Sequence, residues 1–273
     1  NNIEFDHADI YDNLDQIKLS FERLLRVVPR SGLAVVNGDD ANCLEVVAGA
    51  PCPVRTVGFG RHCEIRIDEV DYRPQGSAFR LGGERYAVAM PGEFNVRNAA
   101  MAATVARHVG LSEPEVRQGL ETFDGIARRQ ELRGTAGGVK VIDDFAHHPT
   151  AIRQAVAALR QQHPEGRLWV LFEPRSNTTK RRIFQDELAE CLAGADVAVI
   201  AAPPDPDKVP PEDRLDPAVV AANVPGGKGR YIPGVEEIVE TVAAEAVPGD
   251  VVAVLSNGGF GGIHRRLLER LDR

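Results

Sequence analysis

The sequence predicts an α/β protein whose second half is a parallel, doubly wound sheet. Two observations predict it. Short apolar runs at 139–142, 168–172, 197–201 and 251–255 alternate with helical patterns around 151–162, 183–192, 217–223 and 235–246. Such strand–helix alternation is the mark of a parallel sheet with helices on its faces. Polar loops follow three of those runs, DDFAHHPT, EPRSNT and SNGGFGG, at the strand ends where ligands collect in such sheets.

The first half is a different α/β mixture. NNIEF opens the chain as a strand-like stretch. Leu14, Ile17, Phe21, Leu24, Leu25 and Val28 then recur at helical spacing until Pro29 closes the helix. GLAVVNGDD reads as a buried strand entering a turn. Strand-like pieces follow at 54–59, 64–70, 78–81 and 86–90, and Pro91-Gly92 ends the series. A helix over 96–109 stops at Gly110, and Ser112-Glu113-Pro114-Glu115 starts another with a cap and a first-turn proline. The composition changes near Gly125, where ELRGTAGGVKVID reads as a hairpin around a Gly-rich turn. Residues 203–214 are an extended Pro- and Asp-rich loop, and 263–271 a closing helix.

The bulk numbers exclude several classes. With 273 residues the chain has room for two cores. A net charge of −8 argues against nucleic acid as a partner, although a local basic pocket for a small anion is compatible with it. No apolar run is long enough to span a bilayer, and no leader opens the chain. Cys43, Cys52, Cys63 and Cys191 have no CxxC spacing, so they are expected to be reduced thiols in a cytoplasmic protein. An Asn in first place suggests a processed or excised piece.

Several polar groups suit a site, each with a plainer role open beside it. His7, between Asp6 and Asp9, could help hold a divalent ion or close a turn. Asn95 and Asn98 share a helix face that suits an adenine edge, or they cap the helix. Of Arg128 and Arg129, a hinge arginine could grip a phosphate; a surface pair is more simply solvated. Asp143 and Asp144 end a strand where an acid suits ribose hydroxyls, with His147 and His148 placed near substrate. Arg175 could clamp a carboxylate, with Ser176, Asn177 and Thr178 donating beside it. The glycines after Ser256 and Asn257, beginning Gly258-Gly259, let backbone N–H groups approach an anion, or make a tight turn.

Taken together, NNIEFDHADIYDNL, PGEFNVRNAAMA, RRQELRG, VIDDFAHHPTAI, EPRSNT and LSNGGFGGIH resemble the Mur ligases over the whole chain, and the last two motifs resemble the family's peptide-recycling branch. The resemblance implies that residues 1–127 are the later part of a central ATPase domain and 128–273 a Rossmann-like C-terminal domain. It implies an ATP-dependent ligase that joins L-Ala-γ-D-Glu-meso-diaminopimelate to UDP-N-acetylmuramate through an acyl phosphate, with Mg²⁺; addition of L-alanine, or a non-catalytic binding module, are the alternatives. By resemblance His7 is linked to Mg²⁺, Asn95 and Asn98 to adenine, Arg129 to ATP phosphates on domain closure, and Asp144 to the ribose. His147 and His148 face the reacting groups, while Arg175 to Thr178, the 203–208 loop and the loop from Ser256 through Gly258 and Gly259 to Gly262 hold the peptide. The family's phosphate loop, GxxxxGK[ST], occurs nowhere in the 273 residues. The UDP-binding domain and that loop are therefore expected upstream, and the chain alone is expected not to hydrolyse ATP.

Overall fold

The computed structural model describes residues 1–273 as two compact units, Asn1–Gly125 and Ile126–Arg273. The division falls two residues before the expected 127/128 boundary.

The first unit runs α1 (Leu14–Leu25), β1 (Ala34–Asn37), α2 (Ala41–Val47), β2 (Val54–Gly58), β3 (Ile65–Arg73), β4 (Gly76–Leu81), β5 (Glu84–Val88), α3 (Glu93–His108) and α4 (Glu113–Glu121). Its sheet has the order β1-β2-β3-β4-β5, parallel from β1 to β3 and antiparallel beyond. Val57, Ile67, Phe79, Leu81 and Tyr86 pack against Val96, Ala99 and Ala103, the small residues of α3 allowing close approach. NNIEF is not a strand. Only Ile3 is buried there, against Ile17, Cys43 and Val46, so no alternation exists for a sheet edge to pair. Helix α2 is not evident from periodicity. Asp40 creates it by accepting the Cys43 N–H at 2.7 Å, which turns the end of GLAVVNGDD into a helix cap.

The second unit runs β6 (Glu131–Ala136), β7 (Val139–Asp144), α5 (Pro149–Gln162), β8 (Leu168–Phe172), α6 (Gln185–Cys191), β9 (Val197–Ile200), α7 (Pro217–Asn223), β10 (Gly229–Tyr231), α8 (Val235–Glu245), β11 (Val251–Leu255) and α9 (Ile263–Leu271). Gly137 and Gly138, at φ 56° and 76°, make the two-residue β6–β7 hairpin turn. The sheet order is β10-β9-β8-β11-β7-β6, all parallel except β6. Strand alternation sorts the core onto two faces. Ile142, Val170, Phe172, Ile200 and Leu255 meet residues of α5, α6 and α7; Val141, Trp169, Leu171, Val199 and Val254 meet α8 and α9. The expected doubly wound sheet is present, and only the three-residue β10 escaped the sequence.

The topology places the last strand in the middle. Because β11 lies between β7 and β8, Asp144, Leu255 and Phe172 stand in one register. The three polar loops therefore leave the sheet side by side.

Candidate active site

Consecutive residues of a strand point to opposite faces, so Asp143 and Asp144 have different partners. Asp144 is 3% exposed. Its Oδ1 accepts the Ala146 N–H at 2.7 Å and its Oδ2 the Gln130 N–H at 3.0 Å. Burial pushes its carboxyl above the ordinary range, against the pull of those N–H groups and Arg129. Burial also acts on Asp143, but His264 at 3.3 Å, Arg128 at 3.4 Å and Arg133 outweigh it and hold that carboxyl below its ordinary value.

Arg128 ties the loops together. Its Nη2 donates to the Ser256 carbonyl at 2.6 Å and the Gly258 carbonyl at 2.7 Å. Its own carbonyl accepts the Phe145 N–H at 2.8 Å. Arg128 and Gln130 are left-handed, at φ 60° and 53°, a conformation that costs a non-glycine residue about 1 kcal/mol or more. Arg129 stands exposed between them, its guanidinium 5.6 Å from the Phe145 ring centre and in no ion pair.

The histidines differ. His147 directs Nδ1 at the Phe145 carbonyl, 3.0 Å away, and a carbonyl can only accept, so Nδ1 is the donor of that bond. His148 caps α5: its Nδ1 accepts the Thr150 N–H at 3.3 Å, which leaves the proton on Nε2.

After β8, buried Glu173 accepts the Ser256 hydroxyl at 2.5 Å, and Ser256 Oγ accepts the Gly258 N–H at 2.9 Å. Arg175 lies 3.5 Å from Glu173, itself half-exposed. A Cβ at Gly258 would sit 2.2 Å from the Arg175 Cδ and Nε, so glycine is needed there for Arg175 to cross the loop. Ser176 is engaged with Thr179, at 2.8 Å to the hydroxyl and 3.0 Å to the N–H. Thr178 is buried and Asn177 exposed. The loop ends in left-handed Gly261 and Gly262 before α9. Gln130 Nε2 and Asn257 Oδ1 are buried without a hydrogen-bond partner. Buried polar atoms are almost always satisfied, so these two mark a place where a ligand would complete them.

The expected residues of the first unit are more self-contained. Asn95 is buried and donates to the Pro91 carbonyl at 2.7 Å, while exposed Asn98 accepts from the Asn1 amide. His7, at φ 55°, is exposed and closes a turn with its carbonyl, which takes the N–H groups of Ile10 and Tyr11 at 2.8 and 3.0 Å. No cluster of three metal-ligating side chains includes it. Asp39, His62 and Cys63 do form such a group. There, Asp39 accepts the Phe59 and Gly60 N–H groups at 2.7 and 2.8 Å, and His62 Nε2 lies 2.8 Å from the Gly38 carbonyl. These donors are already used within the protein. All four cysteines are free and buried. Burial raises Cys43 and Cys63 to about 11 and Cys191 to about 12.

Residues 1–106 match the Mur ligase middle domain, and residues 128–258 match the Mur ligase glutamate ligase domain. The chain belongs to the Mur ligase family. It is 38% identical over its whole length to the UDP-N-acetylmuramate–L-alanyl-γ-D-glutamyl-meso-2,6-diaminoheptandioate ligase of Escherichia coli K12, covering 59% of that protein. It is 30% identical, over 98% of its length, to the UDP-N-acetylmuramate–L-alanine ligase of Agathobacter rectalis, covering 60% of it. The crystal structure of a murein peptide ligase from Psychrobacter arcticus superposes with a TM-score of 0.70 at 29% identity, over 96% of this chain and 56% of that one. The chain thus spans about three-fifths of the curated Mur ligases it matches.

Among the expected residues of this Mur ligase, the second unit brings Asp144, His147, His148, Arg175, Ser256 and Gly258 onto neighbouring loops, with Arg129 at their border. Sequence reasoning gave no role to Glu173, His264 or Lys180, and named Arg128 only beside Arg129 as a hinge arginine that could grip a phosphate. Glu173 and Lys180 flank the recognised RSNT residues, and His264 closes SNGGFGGIH; their signal was adjacency to a motif.

Proposed function

We propose that this chain is the later part of an ATP-dependent amide-bond ligase that joins L-Ala-γ-D-Glu-meso-diaminopimelate to UDP-N-acetylmuramate in peptidoglycan recycling, and that its second unit holds the peptide. The observation that carries this reading is the linkage of Arg175 through Glu173 and Ser256 to Gly258, which fixes a carboxylate-binding arginine over a glycine loop. The 38% identity to the E. coli ligase supports it.

In this reaction ATP phosphorylates the lactyl carboxylate of the sugar nucleotide. The L-Ala amine attacks the acyl phosphate, and phosphate leaves. Arg129, exposed and in no ion pair, is the residue assigned to meet phosphate charge. His147, on the loop after β7, is assigned to the reacting groups, where the incoming ammonium must lose a proton before it attacks. Asp144 pins the 128–130 segment through its N–H bonds, so it serves the ribose by holding that backbone. Asn95 and Asn98 are assigned to the adenine side; Asn95 keeps its carbonyl oxygen for a ligand while its amide holds Pro91. His148 shapes the loop as the cap of α5. His7 is assigned to the Mg²⁺ side of the site. Mg²⁺ would arrive with ATP and neutralise phosphate charge. A ligase using ATP and a nucleotide sugar works in the cytoplasm, and no helix here is long and apolar enough to cross a membrane.

Calorimetric titration with the tripeptide and with L-alanine tests the reading. Saturable tripeptide binding, lost in Arg175→Ala, is expected. Binding of L-alanine without the tripeptide would move the chain to the alanine-adding branch. Metal-dependent ATP turnover by the chain would contradict the expectation that it cannot hydrolyse ATP unaided.

A further inference from the structure

Asp39, His62 and Cys63 bring a carboxylate, an imidazole and a thiol within 4.8 Å of one another, and no role above uses them. They leave the sheet together. Strands β1 and β2 are parallel neighbours that end at Asn37 and Gly58, with Asn37 opposite Val57, so Asp39 and the 59–63 loop emerge at the same strand ends. Glycines make the room. A Cβ at Gly58 would sit 2.5 Å from Asp39 Oδ2 and 2.7 Å from Cys63 Sγ. One at Gly60 would sit 2.7 Å from both Asp39 Oδ1 and His62 Nδ1. Any other residue at these two positions would push the three groups apart.

The hydrogen bonds around these groups are of the kind that surrounds a metal. His62 Nε2 lies 2.8 Å from the Gly38 carbonyl, which can only accept, so Nε2 is the donor and a neutral ring carries its lone pair on Nδ1. Metal-binding histidines are commonly oriented in this way, by an acceptor at the nitrogen away from the ion. The Phe59 and Gly60 N–H groups hold the Asp39 carboxylate at 2.7 and 2.8 Å and leave it further acceptor sites. Cys63 donates its thiol proton to Asp39 Oδ1 across 3.5 Å. In a tetrahedral zinc site, with Zn–S about 2.3 Å and Zn–O about 2.1 Å, sulfur and oxygen stand about 3.6 Å apart. An ion in place of that proton needs almost no movement of either atom.

The charges agree. Arg97 stands 3.8 Å from Asp39 and 3.1 Å from Glu93. Asp39, Glu93 and a Cys63 thiolate against Arg97 leave two negative charges, the complement of one divalent cation. Burial and the charge of Asp39 keep the thiol protonated in the free protein, and a coordinating metal removes such a proton outright. A thiolate with an imidazole suits zinc better than magnesium. We propose that Asp39, His62 and Cys63 form a zinc site in the first unit. Zn²⁺ bonds Cys63 Sγ, His62 Nδ1 and an Asp39 oxygen, the thiol proton leaves to solvent, and water takes the fourth position. The ion clips the end of β1 to the end of β2. This site is independent of the peptide reading above.

The test is titration of the full chain with Zn²⁺ and with Co²⁺, using the wild type, Cys63→Ser and His62→Ala. The wild type should take one zinc ion and keep it against a large excess of Mg²⁺. With Co²⁺ it should show thiolate-to-metal charge-transfer absorption in the near ultraviolet, and Cys63→Ser should lose that absorption. His62→Ala removes a side chain that is 63% exposed, so it should fold normally. It should weaken zinc by about a hundredfold, at least what the loss of an outer-shell partner costs. Zinc should also raise the melting temperature of the wild type and leave that of Cys63→Ser unmoved. If Cys63→Ser does not fold, His62→Ala and the cobalt spectrum decide. Zinc bound equally well by the variants, cobalt bound without the charge-transfer band, or a wild type that takes no zinc would each overturn the site.

Discussion

The two units differ in where their unsatisfied polar atoms lie: in the first they are Ser77 Oγ, Arg97 Nε and Arg107 Nε, none of them on an expected site residue, and in the second two of them sit among those residues. In the first, Asn95 and the Asp39–His62–Cys63 group bond nearby backbone, and the backbone of His7 closes a turn. In the second, Gln130 Nε2, whose backbone N–H is held by Asp144, and Asn257 Oδ1, in the loop after β11, are left without a partner. Satisfied polar groups stabilise a fold; unsatisfied ones at a strand edge cost stability and gain meaning only with a ligand. The difference locates the recognition chemistry of this chain more firmly in the second unit.

Arg128→Ala should sharpen this contrast most. It removes the bonds to Ser256 and Gly258 and the contact with Asp143, a loss of about 2–3 kcal/mol for a charged group with two carbonyl acceptors. Trp169, the chain's single tryptophan, is buried in the core of the second unit, so denaturant unfolding followed by its fluorescence reads that unit directly. An unchanged midpoint would mean the loops hold together without Arg128. Next is Gly258→Ala. The added methyl displaces Arg175, so tripeptide affinity should fall about tenfold, equivalent to roughly 1.4 kcal/mol, with the unfolding midpoint unaltered. Retained affinity would remove Arg175 from the peptide site.

The acid limb of stability gives a third probe. Asp143 is held below its ordinary value in the fold, so its stabilisation is present above pH ~4 and is lost as pH falls through the lower folded value. Asp143→Asn should cost about 1 kcal/mol near neutrality and flatten that limb. Stability measured against pH for both chains decides it; parallel curves would deny Asp143 the role. Last comes the first unit. Asn95→Ala should cost about 1 kcal/mol by leaving the buried Pro91 carbonyl without its donor, while exposed Asn98→Ala stays within roughly 0.5 kcal/mol. Circular dichroism melts would show the pair; equal costs would mean Asn95 is no more structural than Asn98.

Much of this was legible beforehand, for identifiable reasons. The alternation of apolar runs and amphipathic helices in residues 139–271 fixes strand and helix positions through period alone, and 217–223 and 263–271 match the helices found. The Gly137-Gly138 turn and the Ser112–Glu115 capping box carry their own chemistry in the sequence. Strand order does not, because no local pattern states that β11 inserts between β7 and β8. Without it, the bond from Ser256 to Glu173 across 83 residues cannot be foreseen. Nor can the choice between Arg128 and Arg129: both are hinge arginines by position, and only the left-handed turn of the backbone sends one inward and the other to solvent. Lys180 escaped because a lysine beside a polar motif reads as solvated charge until its burial is known.

The central place of β11 also sets a timetable. During synthesis the chain emits β7 and β8 long before the strand that lies between them, and each must wait with an open hydrogen-bonding edge facing its future neighbour. Exposed strand edges are templates for pairing with other chains, and distant pairings form slowly. The nascent protein therefore passes through an interval in which its polar loops do not yet exist as a group and the apolar strand β8 has one edge unguarded. Its demand on chaperones should peak before the last two dozen residues are released.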